Sequence, residues 1–430
     1  MNLELTGYSR VRSLPPFSTN NVYYPLERAI VTSSENARVI GLGIVGLGGA
    51  TLSMLPKFAK NPGYKIIAAA DVDANVLTAF SKDFPEAKTY TSVQDLCTND
   101  AVELVYIATP NRFHSEHTIA AFQAGKHVLI EKPMTIEIPG SIAMIEAADK
   151  AGVLLGVNVK HSFEPRVQKV REMVRTEEFG KLRLINSWRY VDWLYRPRTP
   201  EELTPEWGGG IVWRQAPHQL DIVRTIGGGM VRSLRSMAGV WDPDRRVPGA
   251  HATFMEFEDG AVATAMISGY DHYDSRLLVF GPDAIDPSNH GGARRELRES
   301  LVGGAEAAAA ASERYGGERA GSAVRETPGL GGGWIMGGPT IISFDHADVS
   351  FSRNGLEVFS DTERYEIDLK GPKDGRDGRL DTYYDSIVNG APLPADGRWG
   401  MATLEVLLAV QQSGDERREL MLSHQTGSVD

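Results

Sequence analysis

Five short apolar runs, separated by helical patterns, constrain the first third of this chain more than any other feature. They are "VIGLGIV" (Val39–Val45), "YKIIAAAD" (Tyr64–Asp71), "AVELVYIATPN" (Ala101–Asn111), "KHVLIEKP" (Lys126–Pro133) and "GVLLGVNV" (Gly152–Val159). A strand that reads as a nearly unbroken apolar run is buried on both faces. Stretches such as "SEHTIAAFQAG" and "IPGSIAMIEAADKAG" lie between the runs, each closed by Gly at a helix C-cap position. Strands alternating with helices in this way build βαβ units around a parallel sheet.

The first run leads into two overlapping glycine registers. Gly41-Leu42-Gly43-Ile44-Val45-Gly46 matches the dinucleotide fingerprint G-x-G-x-x-G in full. Gly46-Leu47-Gly48-Gly49-Ala50-Thr51 matches it with Thr in the third glycine place. The fingerprint works only where a strand turns into a helix, so that backbone can approach a pyrophosphate at the helix N-terminus. The first register would put Gly46, Gly48 and Gly49 inside a helix, at about 1 kcal/mol each relative to Ala. The second leaves a full strand before it and the helix "ATLSMLPKFAK", interrupted by Pro56, after it. The second register is therefore expected to bind, through Gly46, Gly48, Gly49 and Ala50. Asp71 ends the next strand, 25 residues after Gly46. An acid there accepts from the adenosine ribose and repels a 2′-phosphate, which favours NAD over NADP.

A length of 430 residues exceeds one ordinary core and favours two domains. Residues 1–36 are polar and Pro-containing and read as an arm, either disordered or strapped across the protein or a partner. Residues 37–159 form the expected NAD-binding domain, and residues 160–430 a substrate and oligomerisation domain. The latter opens with an amphipathic helix, "EPRVQKVREMVRTEEFG". Strand patterns follow in "LRLINSWRYVDWLY", "VRSLRSMAGVW", "HATFMEFEDGAVATAMISGY" and "SRLLVFG", with Asp259-Gly260 as a hairpin turn. An antiparallel or mixed sheet is expected. Residues 282–339, rich in Gly and Ala, read as an insertion with short helices around "RRELRES" and "AEAAAAASERYGG". Two more helices, "DGRLDTYYDSIVNG" and "GMATLEVLLAVQQSGDERREL", close the chain.

Net charge is −11, with no run of like charge, which argues against a nucleic-acid partner. No stretch approaches about 18 consecutive apolar residues, so no membrane span is expected. The single cysteine, Cys97, allows neither an internal disulfide nor a zinc pattern. A cytoplasmic setting and no metal are expected.

Residues with chemistry gather where the parallel strands end, the place where open α/β sheets bind ligands. "TPNRFH" (Thr109–His114) follows the third run and "EKP" (Glu131–Pro133) the fourth. Lys132, lowered in pKa by burial, would serve as a general acid or base; otherwise it pairs with Glu131 or is solvated. "GGGIVWRQAPHQLD" (Gly208–Asp221) brings together Trp213, Arg214, His218 and Asp221. His218 could shuttle a proton, with Asp221 orienting it or capping a helix. Arg214, four residues earlier on the same helix face, would grip a carboxylate or form a salt bridge. "WRYVDWLYRPR", containing Tyr190, would wall an anionic or ring-shaped substrate, or pack as core.

Taken together, "GLGGAT", "AAADVD", "ATPNRFHSEH", "GKHVLIEKPM", "GGGIVWRQAPHQLD" and "DGRWGMATLEVLLAVQQS" resemble the Gfo/Idh/MocA oxidoreductases, in order, over nearly all of Arg38–Leu422. The resemblance implies a Rossmann domain followed by an α/β domain with an open, largely antiparallel sheet whose face builds dimers or tetramers. It makes Lys132 the catalytic lysine, in a Lys132–Pro133 bond that can be cis, and His218 the active-site histidine. It sets Thr109, Asn111, His114, Glu131 and Asn158 around the cofactor. The family's sugar and inositol dehydrogenases carry Asp where this chain has Arg214. That exchange fits a narrower branch resembling 4,5-dihydro-4,5-dihydroxyphthalate dehydrogenases, which would oxidise a carboxylated ring cis-dihydrodiol to a catechol with NAD. Arg196 or Arg198 would assist Arg214. The alternatives are a sugar, glycoside or sugar-acid dehydrogenase, a redox-neutral hydrolase or lyase using NAD, and a non-enzymatic NAD-binding regulator.

Overall fold

A computed structural model describes residues 38–270, 272–281, 291–301, 305–318, 338–369 and 377–429. The expected arm, 1–36, and most of the insertion lie outside the described residues.

The first sheet contains β1 (Ile40–Val45), β2 (Tyr64–Ala70), β3 (Lys88–Tyr90), β4 (Leu104–Ile107), β5 (His127–Glu131) and β6 (Leu155–Asn158), in the order 3-2-1-4-5-6. Every pairing is parallel. Its connections carry α1 (Gly49–Lys60), α2 (Ala74–Asp83), α3 (Val93–Cys97), α4 (His114–Gln123) and α5 (Ile138–Ala151). The apolar runs divide by parity, since successive strand residues point to opposite faces. Ile40, Leu42, Ile44, Leu104 and Tyr106 pack with α1 and α2 on one face. Val45, Val105 and Ile107 pack with α3, α4 and α5 on the other. Strand order reverses between β1 and β4, which opens a crevice beyond their carboxyl ends.

Both glycine registers have a structural account. Gly41 and Gly43 lie inside β1; a Cβ on Gly41 would sit 1.8 Å from the Ala101 carbonyl oxygen, so this strand needs glycine for close packing. Gly46 makes the turn, at φ +89°, and α1 begins at Gly49 with Pro56 in its interior. A Cβ on Gly46 would approach the Ala108 carbonyl oxygen to 2.7 Å.

The second sheet contains β7 (Leu182–Tyr190), β8 (Val231–Gly239), β9 (Ala250–Phe257), β10 (Val262–Ser268), β11 (Thr340–Phe344), β12 (Ala347–Phe351), β13 (Gly355–Ser360), β14 (Arg364–Asp368) and β15 (Leu420–Met421). Its order is 14-13-12-11-7-10-9-8-15, and all pairs are antiparallel except β7 with β10. The Asp259-Gly260 turn joins β9 to β10, with Gly260 at φ +87° and the Asp259 carboxylate accepting from the Ala261 N–H at 3.0 Å. One apolar core joins the sheet to α6 (Pro165–Thr176), α7 (Ile211–Arg214) and α8 (Ala216–Ile226).

"SRLLVFG", expected as a strand, is instead the helix α9 (Arg276–Phe280). The Asp274 carboxylate accepts from the Arg276 N–H at 2.9 Å and turns the chain at its start. Four apolar residues cannot distinguish a period of 2 from one of 3.6. The two short helices of the insertion are α10 (Gly292–Leu301) and α11 (Glu306–Ala311).

The closing helices tie the two sheets together. In α12 (Gly378–Asn389), Leu380, Tyr383 and Tyr384 pack on the first sheet, although their place in the sequence groups them with the second. The Tyr383 hydroxyl donates to the Val157 carbonyl at 2.6 Å. In α13 (Gly397–Glu416), Trp399 joins the core of the first sheet while Leu404, Leu407 and Val410 join that of the second. Replacing Gly46 with Ala should destabilise the fold by about 1–3 kcal/mol through its left-handed backbone and the Ala108 clash, read as a lowered midpoint in chemical unfolding. An unchanged midpoint would contradict this turn.

Candidate active site

The crevice starts at the β1–α1 turn. The Gly48 and Gly49 Cβ positions face open space within 4 Å, and Gly49 and Ala50 are exposed. Unpaired N–H groups of the first turn of α1 thus front a cradle without side chains, the surface a pyrophosphate requires. Thr51, in the third glycine place, donates its hydroxyl to the Gly46 carbonyl at 2.5 Å and so braces the turn from inside. Asp71, just past β2, accepts from Leu47 N–H at 2.8 Å and Asp73 N–H at 3.0 Å. These features fit a dinucleotide.

Beyond β4, the Thr109 hydroxyl meets His117 Nδ1 at 3.0 Å. His114 spans two loops: its Nε2 lies 2.8 Å from the Thr109 carbonyl and its Nδ1 3.0 Å from the Pro133 carbonyl. Burial lowers its pKa to about 4, so the neutral ring donates to one of these carbonyls and packs against the other between the loops. Asn111 is buried, and its Nδ2 has no hydrogen-bond partner. A buried donor left open costs about 1–3 kcal/mol, which marks it as awaiting an acceptor.

Beyond β5, the Lys132–Pro133 bond is cis. Lys132 Nζ donates to the Arg214 carbonyl at 3.2 Å. Burial lowers the Lys132 pKa to about 8; Glu131 and Glu202 oppose that shift and the charges of Arg214 and Arg189 add to it. Glu131 itself is occupied. Its Oε1 accepts from Tyr106 OH at 2.7 Å and from Asn158 Nδ2 at 2.5 Å. Asn158 in turn accepts from Arg379, which is paired with Asp377. Lys57 also pairs with Asp377, at 2.9 Å. The structure thus places Glu131 and Asn158 in a network with Tyr106 and Arg379, two residues absent from the sequence expectation.

From the second domain, α7 and α8 meet at Gln215. The His218 ring stands edge-on to His161, with centroids 5.0 Å apart. Burial first, then the charge of Lys132, drives its pKa well below the ordinary 6.5, so His218 is neutral at pH 7. Asp221 does not orient it: among the described residues no hydrogen bond joins them. The Asp221 carboxylate instead accepts from Trp399 Nε1 at 2.7 Å and from Ser162, fastening α8 to α13. Burial raises its pKa to about 6. Trp213 is core, its Nε1 donating to Gln411 at 3.1 Å. Arg214 is lowered in pKa by burial, with Glu202 and Glu201 opposing, and its Nε is buried without a partner.

Tyr190 falls on the other side of β7. Its hydroxyl meets Met266 Sδ at 3.9 Å, on the sheet face away from Lys132. Its neighbour Arg189 points inward, buried, and donates to Gln215 at 3.0 Å. An arginine in a half-buried strand reads as solvated, so sequence patterning passed over it. Arg196 and Arg198, expected to assist Arg214, are otherwise engaged. Arg196 pairs with Asp192 at 2.5 Å; Arg198 pairs with Glu202 at 3.0 Å and donates to the Trp193 carbonyl. Among the described residues no cluster of three or more His, Cys, Asp or Glu is placed to hold a metal, and no helix is long and apolar enough to cross a membrane.

Residues 40–159 match the family described as an oxidoreductase family with an NAD-binding Rossmann fold, and residues 167–285 match the Gfo/Idh/MocA C-terminal domain. The chain belongs to the Gfo/Idh/MocA oxidoreductases. A 1-carboxy-3-chloro-3,4-dihydroxycyclohexa-1,5-diene dehydrogenase of Comamonas testosteroni is 35% identical over 377 residues, covering 87% of this chain and 94% of that one. A solved structure from Bordetella bronchiseptica RB50 is also 35% identical, with a TM-score of 0.80, covering 89% of this chain and all of that one. The WlbA dehydrogenase of Bordetella pertussis, solved with NADH and UDP-GlcNAcA, shares the fold at a TM-score of 0.67 and 18% identity over 90% of this chain and 98% of that one. This Gfo/Idh/MocA chain is thus an oxidoreductase with an NAD-binding Rossmann fold and a mixed, largely antiparallel second sheet.

The lowered pKa of Lys132 has a readout that needs no substrate. Acylation of Lys132 by an amine-selective reagent, followed by peptide mass spectrometry, should rise with pH around a midpoint near 8. A midpoint near 10.5, the ordinary lysine value, would mean that the side chain is solvated.

Proposed function

We propose that this oxidoreductase oxidises a ring cis-dihydrodiol bearing at least one carboxylate to the corresponding catechol. The carrying observation is the buried, unpartnered Nε of Arg214, the residue whose carbonyl accepts from Lys132 Nζ at 3.2 Å, with Arg189 held at the adjacent Gln215. A carboxylate there would accept charge-assisted hydrogen bonds from Arg214 and add a negative charge beside Lys132. A neutral polyol would bring no such charge. The name of the Comamonas relative, a carboxylated dihydroxycyclohexadiene dehydrogenase, supports the same class, 4,5-dihydro-4,5-dihydroxyphthalate among its members.

The chemistry needs one hydride acceptor and one proton acceptor. The Gly46–Ala50 turn would hold the pyrophosphate of a dinucleotide, which when bound would supply the hydride acceptor. Lys132 takes the hydroxyl proton, since a base with a pKa near the working pH combines availability with strength. Neutral His218 accepts or donates a hydrogen bond at the same hydroxyl and keeps it aligned. Glu131, fixed by Tyr106 and Asn158, holds the loop that carries Lys132. The ring ketone then shifts its remaining carbinol proton to oxygen and becomes aromatic. The sum is diol plus oxidised dinucleotide to catechol, reduced dinucleotide and one proton. Exposed Met237 and Phe254 on the open face of the second sheet support self-association as a homo-oligomer.

Absorbance at 340 nm, with carboxylated and uncarboxylated cyclic cis-diols set against myo-inositol, glucose and glucuronate, tests the substrate class. Turnover confined to carboxylated ring diols is expected; turnover on sugars would overturn the reading. The rate of oxidation should climb with pH and level above about 8, because the deprotonated lysine is the active form. Lys132→Ala should lower kcat by about 10²–10⁴-fold while nucleotide binding persists. Arg214→Ala should raise KM for the carboxylated diol by about tenfold or more, with a smaller effect on kcat.

A further inference from the structure

Asp71, the acid expected to read the ribose, is not alone. The stretch just after α11 crosses from the second domain and lies against the dinucleotide turn. The Tyr315 N–H donates to the Leu47 carbonyl at 3.1 Å, its ring packs edge-on to Phe80 with centroids 5.7 Å apart, and its hydroxyl bonds Asp83. Tyr315 thereby fixes its neighbour Arg314 at the end of β2. One Arg314 nitrogen lies 3.1 and 3.4 Å from the two Asp71 oxygens, and another lies 3.8 Å from Asp73.

The two partners differ in what they leave free. The Asp71 side chain is 3% exposed and already accepts from Leu47 and Asp73. The Arg314 side chain is 38% exposed, and only one of its guanidinium nitrogens is within hydrogen-bond distance of a partner among the described residues. Its remaining N–H donors stand beside the ribose subsite. An acid alone at this position repels a 2′-phosphate, whereas a nearby arginine accommodates one.

We infer, on the dinucleotide reading alone and independently of the diol, that Arg314 of the insertion sets cofactor selectivity. It neutralises Asp71 and supplies a cation for a 2′-phosphate, so that the enzyme accepts NADP as well as NAD. The preference for NAD expected from Asp71 is thereby relaxed by a residue 243 positions away in the chain.

Calorimetric titration of the intact protein with NADH and with NADPH, without substrate, tests this directly. The native chain should bind the two within about tenfold of each other. Arg314→Ala should weaken NADPH by about ten- to a hundredfold, the range of one or two charge-assisted hydrogen bonds, and NADH by less than about threefold. Arg314→Lys should retain most NADPH affinity, which separates charge from misfolding. Native protein that binds NADH but prefers it more than about a hundredfold would overturn the inference. So would Arg314→Ala leaving both affinities unchanged or strengthening both equally, since the segment would then only cover the subsite. Native protein binding neither nucleotide would overturn the dinucleotide reading itself.

Discussion

A buried chain of charge and hydrogen bonds runs from Lys57 through Asp377, Arg379 and Asn158 to Glu131, and the site is built on it. Burial alone would push the Asp377 carboxyl up, but Arg379 and Lys57 hold it well below the usual carboxylate range. Arg379 is buried and depends on that carboxylate, because an uncompensated buried charge costs several kcal/mol. Through Asn158 the network reaches Glu131, the residue before Lys132. The last strands of the first sheet, the tail helix and the lysine loop therefore form one electrostatic unit. A helix that arrives more than two hundred residues after β6 positions the end of β6.

The other half of the cleft is held by different means. Asp221, Trp399 and Ser162 join α8 to α13, and α13 packs on both sheets. His218 is thus presented to Lys132 by a helix whose own anchor lies on the far side of the domain junction. The site has no single loop that could be exchanged without disturbing a sheet. The mix of charge around the buried lysine follows from the same packing, since α7 brings Arg214 and β7 brings Arg189 toward the loop that carries Glu131.

What the sequence made legible was local. The glycine turn, the start of α1, the apolar strands β1, β2, β4, β5 and β6, and the grouping of chemistry at their carboxyl ends all follow from patterns a few residues long. Parity in β7 was harder to read. "SWRYV" offers Tyr190 as an aromatic wall, yet the strand turns Arg189 inward and Tyr190 outward, because Ser187 and Val191 share the buried face with Arg189. Asp221 stands one helical turn from His218, so spacing suggested a pair, while its partners come from distant helices. β11 to β14 carry little local signal because they are short and follow the Gly/Ala-rich insertion. Arg314, Tyr106 and Arg379 carried no local signal; only tertiary contact gives them meaning.

Keeping histidines neutral inside the protein has a cost outside catalysis. Burial lowers His114, His161 and His251 to about 4, against 6.5 for the free side chain. Below pH 6.5 the unfolded chain takes up protons that these folded rings refuse, so their contribution to stability, complete above 6.5, drains away toward pH 4. Asp221, raised to about 6 from 3.8, works in the opposite sense and favours the folded state as pH falls through that range. Burial raises Asp396 as well, but His117, His127 and His218 are lowered beside those three, so the imidazoles outnumber the raised carboxyls. The acid limb of this protein's stability therefore begins just below neutrality, set by buried imidazoles and not by its many surface carboxylates.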